Sequence, residues 1–172
     1  MVIILEVNMD EREKKVYEFL DKFHIKYEKH EHPAVFTCEE ADIYTSGLKG
    51  VHTKNLFLRN KKGSKHYLVV MKEDKTLNVK EFGEKISEKN LSFASPERMI
   101  KYLNLTPGSV SLFGIINDID NNVKVYIDQD ILKEEFINSH PNVNTATLVY
   151  RVDDMIKILN ESGNDYEIIS LI

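Results

Sequence analysis

The apolar positions near the start of the chain recur at helical spacing. Val16, Phe19, Leu20 and Phe23 fall on one face behind Asp10, with Glu13 three residues on as in a capping box. A short strand is predicted over Lys26–Lys29. Thr37–Glu40 repeats the capping-box pattern and opens a second helix that ends near Gly47. From Lys54 to Arg59 and from His66 to Met71 the chain reads as two strands, and the polar link Asn60–Lys65 with Gly63 makes them a hairpin. Asn78 with Glu81 caps a further short helix, Leu91–Ala94 is a small strand, and Ser95-Pro96-Glu97 starts a helix with proline at its first position. Val123–Ile127 and Thr145–Tyr150 are predicted strands, Asp153–Asn160 is a helix stopped by Gly163, and Tyr166–Ile169 is a final strand. Helices and strands alternate along the whole length with no repeat, low-complexity tract or linker. The hairpin excludes a purely parallel doubly wound sheet. One α/β domain over residues 9–172 is expected, with Met1–Asn8 as an extension outside the essential fold.

Composition agrees with that reading. The chain has 172 residues, 42% apolar and 30% charged, a globular balance of a size that buries a core without staples. Val2–Leu5 is too short an apolar run, and too poor in flanking positive charge, for a secretory signal or a membrane span. A single cysteine, Cys38, excludes an internal disulfide framework and a multi-cysteine zinc site and suits a reducing cytosol. Net charge is −5, but it is unevenly spread. Between Lys49 and His66 lie six basic residues (Lys49, Lys54, Arg59, Lys61, Lys62, Lys65) and no acid, which leaves 17 basic against 28 acidic residues elsewhere. A positive segment on a negative body is what a locally docking polyanion needs. Lys61, Lys62 and Lys65 surround a turn and are equally well read as solvated surface charge.

Three stretches could carry chemistry. Lys54 begins an apolar strand after Gly50-Val51-His52-Thr53, where its ammonium is either ordinary surface charge or a point charge for a phosphate at a cleft mouth. Pro107–Gly114 sets two glycines and two serines among apolar residues, giving a plain connection or a loop of exposed backbone donors; it lacks the ending of a Walker loop. Ser139–Ala146 holds His140, Asn142 and Asn144 near a strand start, a turn or a set of hydrogen-bonding groups for a sugar or carbonyl. His30-Glu31-His32 lacks a third ligand, so no metal site is expected there. Cys38 is read as a buried spectator, although a helix start could lower its pKa.

The order of these blocks carries more than each alone. His32-Pro33-Ala34-Val35-Phe36-Thr37 with Glu39-Glu40-Ala41, then Gly50–Leu58, resembles the freestanding prolyl-tRNA editing proteins of the YbaK/ProX superfamily of aminoacyl-tRNA deacylases. Leu91–Ser95, Thr106–Val110, Gly114–Asp118 and His140–Ala146 continue the resemblance, which runs from Tyr17 to Gly163 and is nearest the ProXp-ala/PrdX branch. It implies a compact α/β fold on a curved, largely antiparallel mixed sheet flanked by helices. It also implies a cytoplasmic hydrolase that cleaves the ester joining a wrong amino acid to the terminal adenosine of a tRNA. The family lysine falls on Lys54, which would hold a terminal phosphate, and the family histidine on His140. Relatives often carry glycine where this chain has Asn104; asparagine tolerates left-handed backbone angles, so the following loop is expected to survive the change.

The resemblance further implies that the acceptor end of a mischarged proline tRNA is the partner, that prolyl-tRNA synthetase is a candidate second partner, and that no cofactor or membrane takes part. Alanine on proline tRNA is the expected substrate, with cysteine on the same tRNA, or a non-catalytic aminoacyl-tRNA binder, as alternatives. On that expectation Lys54 and His140 are catalytic. Val35, Phe36 and Thr37 line a small pocket for the amino acid. Asn55, Gly108, Ser109, Gly114 and Asn144 bind the rest of the substrate, and backbone donors of Gly108–Gly114 steady the carbonyl as water attacks. Lys49, Arg59 and Arg98 are candidates for acceptor-stem contacts.

Overall fold

The computed structural model describes residues 9–171, and the proposed extension 1–8 lies outside the described residues. Helix α1 (Glu11–Lys22) begins behind Asp10 as its spacing predicts, but without the expected box. Asp10 Oδ1 accepts from the Arg12 N–H at 2.8 Å, while Glu13 turns away to accept from the Tyr17 hydroxyl at 2.6 Å and to meet Lys29 Nζ at 3.2 Å. Glu13 is buried, and a buried carboxylate gains more from a cation and a hydroxyl than a helix end gains from a second cap. The pair ties α1 to β1 (Tyr27–Glu31). Helix α2 (Cys38–Thr45) is capped as expected: Thr37 Oγ1 accepts from the Glu40 N–H at 3.1 Å, and Glu40 reaches back to the Phe36 N–H at 2.7 Å.

The hairpin is β2 (Val51–Arg59) and β3 (His66–Lys72), antiparallel from Thr53↔Lys72 to Arg59↔His66. Asn60 closes it by accepting on Oδ1 from the N–H groups of Ser64 and Lys65, at 2.9 and 3.1 Å. After α3 (Val79–Lys85) come β4 (Ser92–Phe93) and α4 (Pro96–Leu103), with Asn78 and Ser95 as caps. Then follow β5 (Val123–Asp128), β6 (Phe136–Ser139), β7 (Ala146–Arg151), α5 (Val152–Ser162) and β8 (Tyr166–Ile169). Two 3-10 turns, Leu112–Asn117 and Gln129–Lys133, and the strand β6 have no counterpart in the sequence-based reading.

The strands form one sheet in the order β1-β7-β6-β2-β3-β5-β8, with β4 on β2. Four pairings are antiparallel and three (β2 with β6, β3 with β5, β5 with β8) are parallel. The sheet is therefore mixed, with a larger parallel share than expected. Alternation along β3 explains its unbroken apolar run, because both faces are covered. Leu68 and Val70 join a core with Val16 and Leu20 of α1, Leu103 of α4 and Met155, Ile158 and Leu159 of α5. Tyr67, Val69 and Met71 point the other way, to Phe82 of α3, Ile169 and Leu171. α2 alone among the helices sends no apolar side chain into either core: only Thr45 is buried, and Ile43 and Tyr44 are exposed.

Asn104 caps α4 in the left-handed region (φ 53°, ψ 40°), its N–H on the Ile100 carbonyl at 3.0 Å, so asparagine does there what glycine would do. Gly50 is the stricter position. Its φ is +93°, and an added Cβ would lie 2.7 Å from the backbone C and O of Phe136, where β2 comes alongside β6. Gly50→Ala should therefore destabilise the fold by at least about 2 kcal/mol, from overpacking and left-handed strain together. Urea denaturation of the variant beside the parent checks this, and an unchanged midpoint would contradict it.

Candidate active site

A cavity of about 280 Å³ opens between α2, the first half of β2, the end of β6 and the segments around Val35 and Gly108. It brings together most of the residues singled out from the sequence: Val35, Phe36, Thr37, Lys54, Asn55, Gly108, His140 and Asn144 all line it. Ser109 and Gly114 do not. Ser109 is buried beside the cavity, and Gly114 lies inside the core, where a Cβ would sit 2.8 Å from Leu105 Cδ1 and 3.1 Å from Leu103 Cβ. Gly114 serves packing, and the backbone donors it was expected to share with Gly108 are not at the cavity. Gly108 (φ +83°) is, beside the exposed ring of Phe36.

Lys54 is half-buried at the cavity, and among the described residues no carboxylate lies within 4.0 Å of its Nζ. Of the other basic residues of its segment, Lys61 and Lys62 are exposed on the hairpin turn away from the cavity, and the rest are engaged elsewhere. Lys49 pairs with Glu28 at 3.0 Å and lies over the Phe136 ring, Lys65 pairs with Glu88 at 2.9 Å, and Arg59 donates to the carbonyls of Asn60 and Lys61. Arg98 is committed to the Gly63 carbonyl at 3.0 Å and to His66 Nε2 at 2.9 Å. The positive segment of the sequence thus contributes one uncommitted ammonium to the cavity.

His140 lies at the end of β6. Its backbone carbonyl accepts from Ser111 Oγ at 2.6 Å and from the Asn142 N–H, while its ring Nδ1 is buried without a partner. Burial first, and the neighbouring His32 second, push its pKa down to about 4. The ring is therefore neutral near pH 7 and offers a donor and an acceptor, not a cation. His32 is itself fixed, with Nδ1 2.9 Å from the Pro33 carbonyl and Nε2 2.9 Å from Thr147 Oγ1, and stacks on Tyr44 of α2. Asn144 braces the wall: its Nδ2 donates to the Val35 carbonyl at 3.0 Å, and its own carbonyl accepts from the Val35 N–H at 3.1 Å.

Several lining residues escaped the sequence reading. Asn138 on β6, Thr45 and Glu73 are among them, while Ser139, His52, Thr53, Ala41 and Cys38 line the wall from stretches already marked in the sequence. Cys38 is exposed rather than a buried spectator, and the helix start does not activate it. Local desolvation and a hydrogen bond to Glu73 push its thiol up to about 11. Asp42, His52 and Glu73 each bring a ligand atom within 4.8 Å of the others, a set that could accept a divalent cation and that sequence spacing gave no means of finding.

Residues 32–158 match the family model of the aminoacyl-tRNA editing domain. The chain belongs to this family. An editing domain is an aminoacyl-tRNA deacylase, an ester hydrolase whose substrate is mischarged tRNA. The chain is 39% identical over 165 residues to the prolyl-tRNA editing protein ProX of Acetoanaerobium sticklandii, covering 96% of this chain and all of that one. It is 31% identical over 159 residues to a prolyl-tRNA synthetase associated domain-containing protein of Danio rerio, covering 91% of this chain and 86% of the relative. The fold is shared with a solved structure described as a candidate trans-editing enzyme for prolyl tRNA synthetase, with a TM-score of 0.72 at 19% identity over 95% of this chain and 98% of that one. No helix among the described residues of the editing domain is long and apolar enough to cross a membrane.

Two histidines of the domain are held neutral. His66, 2% exposed, is pushed down to about 4 by burial and then by Arg98, Lys101 and Arg59, as His140 is by burial and His32. A histidine whose folded pKa lies below its unfolded 6.5 takes up protons more readily once unfolded, so its contribution is complete above 6.5 and is lost as pH falls toward 4. Urea-derived stability should fall steadily across that window. His66→Gln should flatten the slope, and a pH-independent stability between 6.5 and 5 would contradict the assignment.

Proposed function

We propose that this protein is a prolyl-tRNA trans-editing factor that hydrolyses alanine from proline tRNA. The observation that carries the reading is Lys54: a half-buried ammonium at a small cavity, with no carboxylate within 4.0 Å among the described residues. Such a group stabilises an anion that arrives from outside, and in an aminoacyl-tRNA the nearest anion to the ester is a terminal-nucleotide phosphate. The ester is already activated, so no covalent intermediate is required. A water molecule attacks its carbonyl carbon, the ester carbon–oxygen bond breaks, and free amino acid and the tRNA hydroxyl leave. A ribose hydroxyl of the substrate assists, which fits the neutrality of His140: with a pKa near 4 it positions the acceptor end through hydrogen bonds rather than by charge. The backbone N–H of Gly108 steadies the carbonyl oxygen as negative charge develops. Asn144 acts on the substrate through Val35, whose backbone it holds on both sides.

The size of the cavity supports a small amino acid. About 280 Å³ lies at the low end of ligand pockets, and Val35, Phe36 and Thr37 occupy one wall. Size alone rejects larger side chains but barely rejects smaller ones, because one methylene is worth only ~1–3 kcal/mol in such a pocket.

Multiple-turnover hydrolysis of Ala-, Cys-, Ser- and Pro-esters built on proline tRNA tests the assignment. Alanine should be released in many-fold excess over protein and proline spared. Preferred release of cysteine would move the substrate, and stoichiometric retention without release would make the protein a binder. Lys54→Ala removes a charge-assisted contact of ~1.5–3 kcal/mol and should lower kcat/KM about 10–100-fold in a folded protein. Affinity for proline tRNA should also fall as salt rises, because phosphate contacts release counterions, and salt-independent binding would argue against an acceptor-end contact.

A further inference from the structure

Asn138 is 4% exposed, lines the cavity, and has only the nitrogen end of its amide hydrogen-bonded among the described residues. Its orientation is fixed, since Nδ2 donates to the Lys49 carbonyl at 2.6 Å and only the nitrogen end can do so. Oδ1 is consequently left as a buried acceptor with no donor. Its backbone is equally fixed: it pairs with His52 of β2, and its carbonyl accepts from Thr53 Oγ1 at 2.9 Å. Two residues further along β2, Asn55 lines the same cavity with an Oδ1 that is likewise buried and unpartnered. A buried acceptor without a donor is costly, and a pocket with two of them favours a ligand that brings N–H or O–H groups.

We propose that Asn138, with Asn55, accepts hydrogen bonds from the α-amino group of the esterified amino acid. The inference rests on the ester-hydrolysis reading above and extends it to a determinant of specificity. Among the parts of an aminoacyl ester, a primary amine carries the most donors in one place, three when protonated. Glu73, also on the cavity wall, sets a carboxylate against the charge of Lys54, so that an entering ammonium meets both signs. Proline differs from alanine at this atom, because its ring carbon Cδ replaces one N–H. A protonated prolyl amine still carries two N–H donors, but its ring locks rotation about the Cα–N bond, so it meets both acceptors in one ring orientation only, whereas the alanyl amine turns freely to meet them. A site built to hydrogen-bond an N–H rejects the analogue lacking it far more strongly than a pocket rejects an extra methylene. Asn138 would then add discrimination at the amine to the discrimination at the side chain that the size of the cavity makes.

The test compares alanyl and lactyl esters on the same tRNA, since lactate keeps the size of alanine and exchanges the amine for a single hydroxyl. Each kcat/KM is divided by the uncatalysed rate of that ester, to remove the effect of the amine on intrinsic reactivity. The parent protein should favour the alanyl ester at least about tenfold. Asn138→Leu should reduce that preference by about tenfold. Asn138→Asp keeps an acceptor but loses the donor to Lys49, and should retain the preference. Equal treatment of the two esters by the parent overturns the inference while leaving ester hydrolysis intact. Equal loss of preference in both variants also overturns it, by reducing Asn138 to a brace for Lys49. Cleavage of neither ester overturns the hydrolysis reading and this inference with it.

Discussion

Strand β2 is held from three directions at once. β3 runs antiparallel along it from Thr53 to Arg59, β6 lies parallel beside its first two residues, and β4 pairs with its last two. The four residues that β2 gives to the cavity, His52 to Asn55, thus stand on a backbone with almost no freedom to shift. That matters most for Lys54. A lysine left without a carboxylate would ordinarily swing to the nearest one, and this chain has 28 acidic residues to offer. The neighbouring cations have done so, with Lys49 on Glu28 and Lys65 on Glu88. Placement at a half-buried point of a fixed strand keeps the ammonium of Lys54 available for a charge that comes with a ligand.

Around that strand the molecule divides labour between two kinds of support. The apolar side chains of α1, α4 and α5 cover one face of the sheet, and α3 with the last strand covers the other. These layers set stability and stay clear of the cavity. The cavity wall is made instead of short polar braces: Asn144 on Val35, His32 on Thr147 and Pro33, Ser111 on the His140 carbonyl, Thr53 on the Asn138 carbonyl. Helix α2 belongs to the wall rather than to the core, because it buries only Thr45 and is fixed through its cap and the Tyr44–His32 stack. A wall built of individually weak contacts adapts to a ligand more readily than a close-packed core does.

Where a signal is local, the sequence was enough. Thr37, Asn78 and Ser95 cap their helices because a side-chain oxygen and an N–H three residues on form a self-contained unit, and Gly163 ends α5 by the same short-range logic. Asp10 fails only in its partner, because Glu13 was recruited by Lys29, sixteen residues further along the sequence and invisible to a cap pattern. β6 could not be read at all. Phe136–Ser139 has neither the length nor the alternation of a strand, and is one only because β2 and β7 pair with it on either side. With β6 went Asn138. Gly114 was misplaced for the opposite reason: glycine in a loop invites a ligand reading, yet what approaches closely here is Leu103 and Leu105.

The family resemblance pointed to Lys54, His140 and the Val35 wall, all of which line the cavity, because those residues lie in contiguous blocks, and contiguity is what a reader of one chain can match. It carried no information on charge state, which the fold decides. Desolvation makes His140 neutral, and desolvation followed by the carboxylate of Glu73 makes Cys38 less acidic, so the imidazole and the thiol at the cavity are both poorly suited to act as base and nucleophile. An ester that needs only a positioned water asks for neither. What it asks for is an anchor for the phosphate, donors for the carbonyl, and acceptors for the amine. The cavity holds one uncommitted cation, a glycine of positive φ and two unpartnered amide oxygens, which is a set suited to holding a substrate still rather than to attacking it.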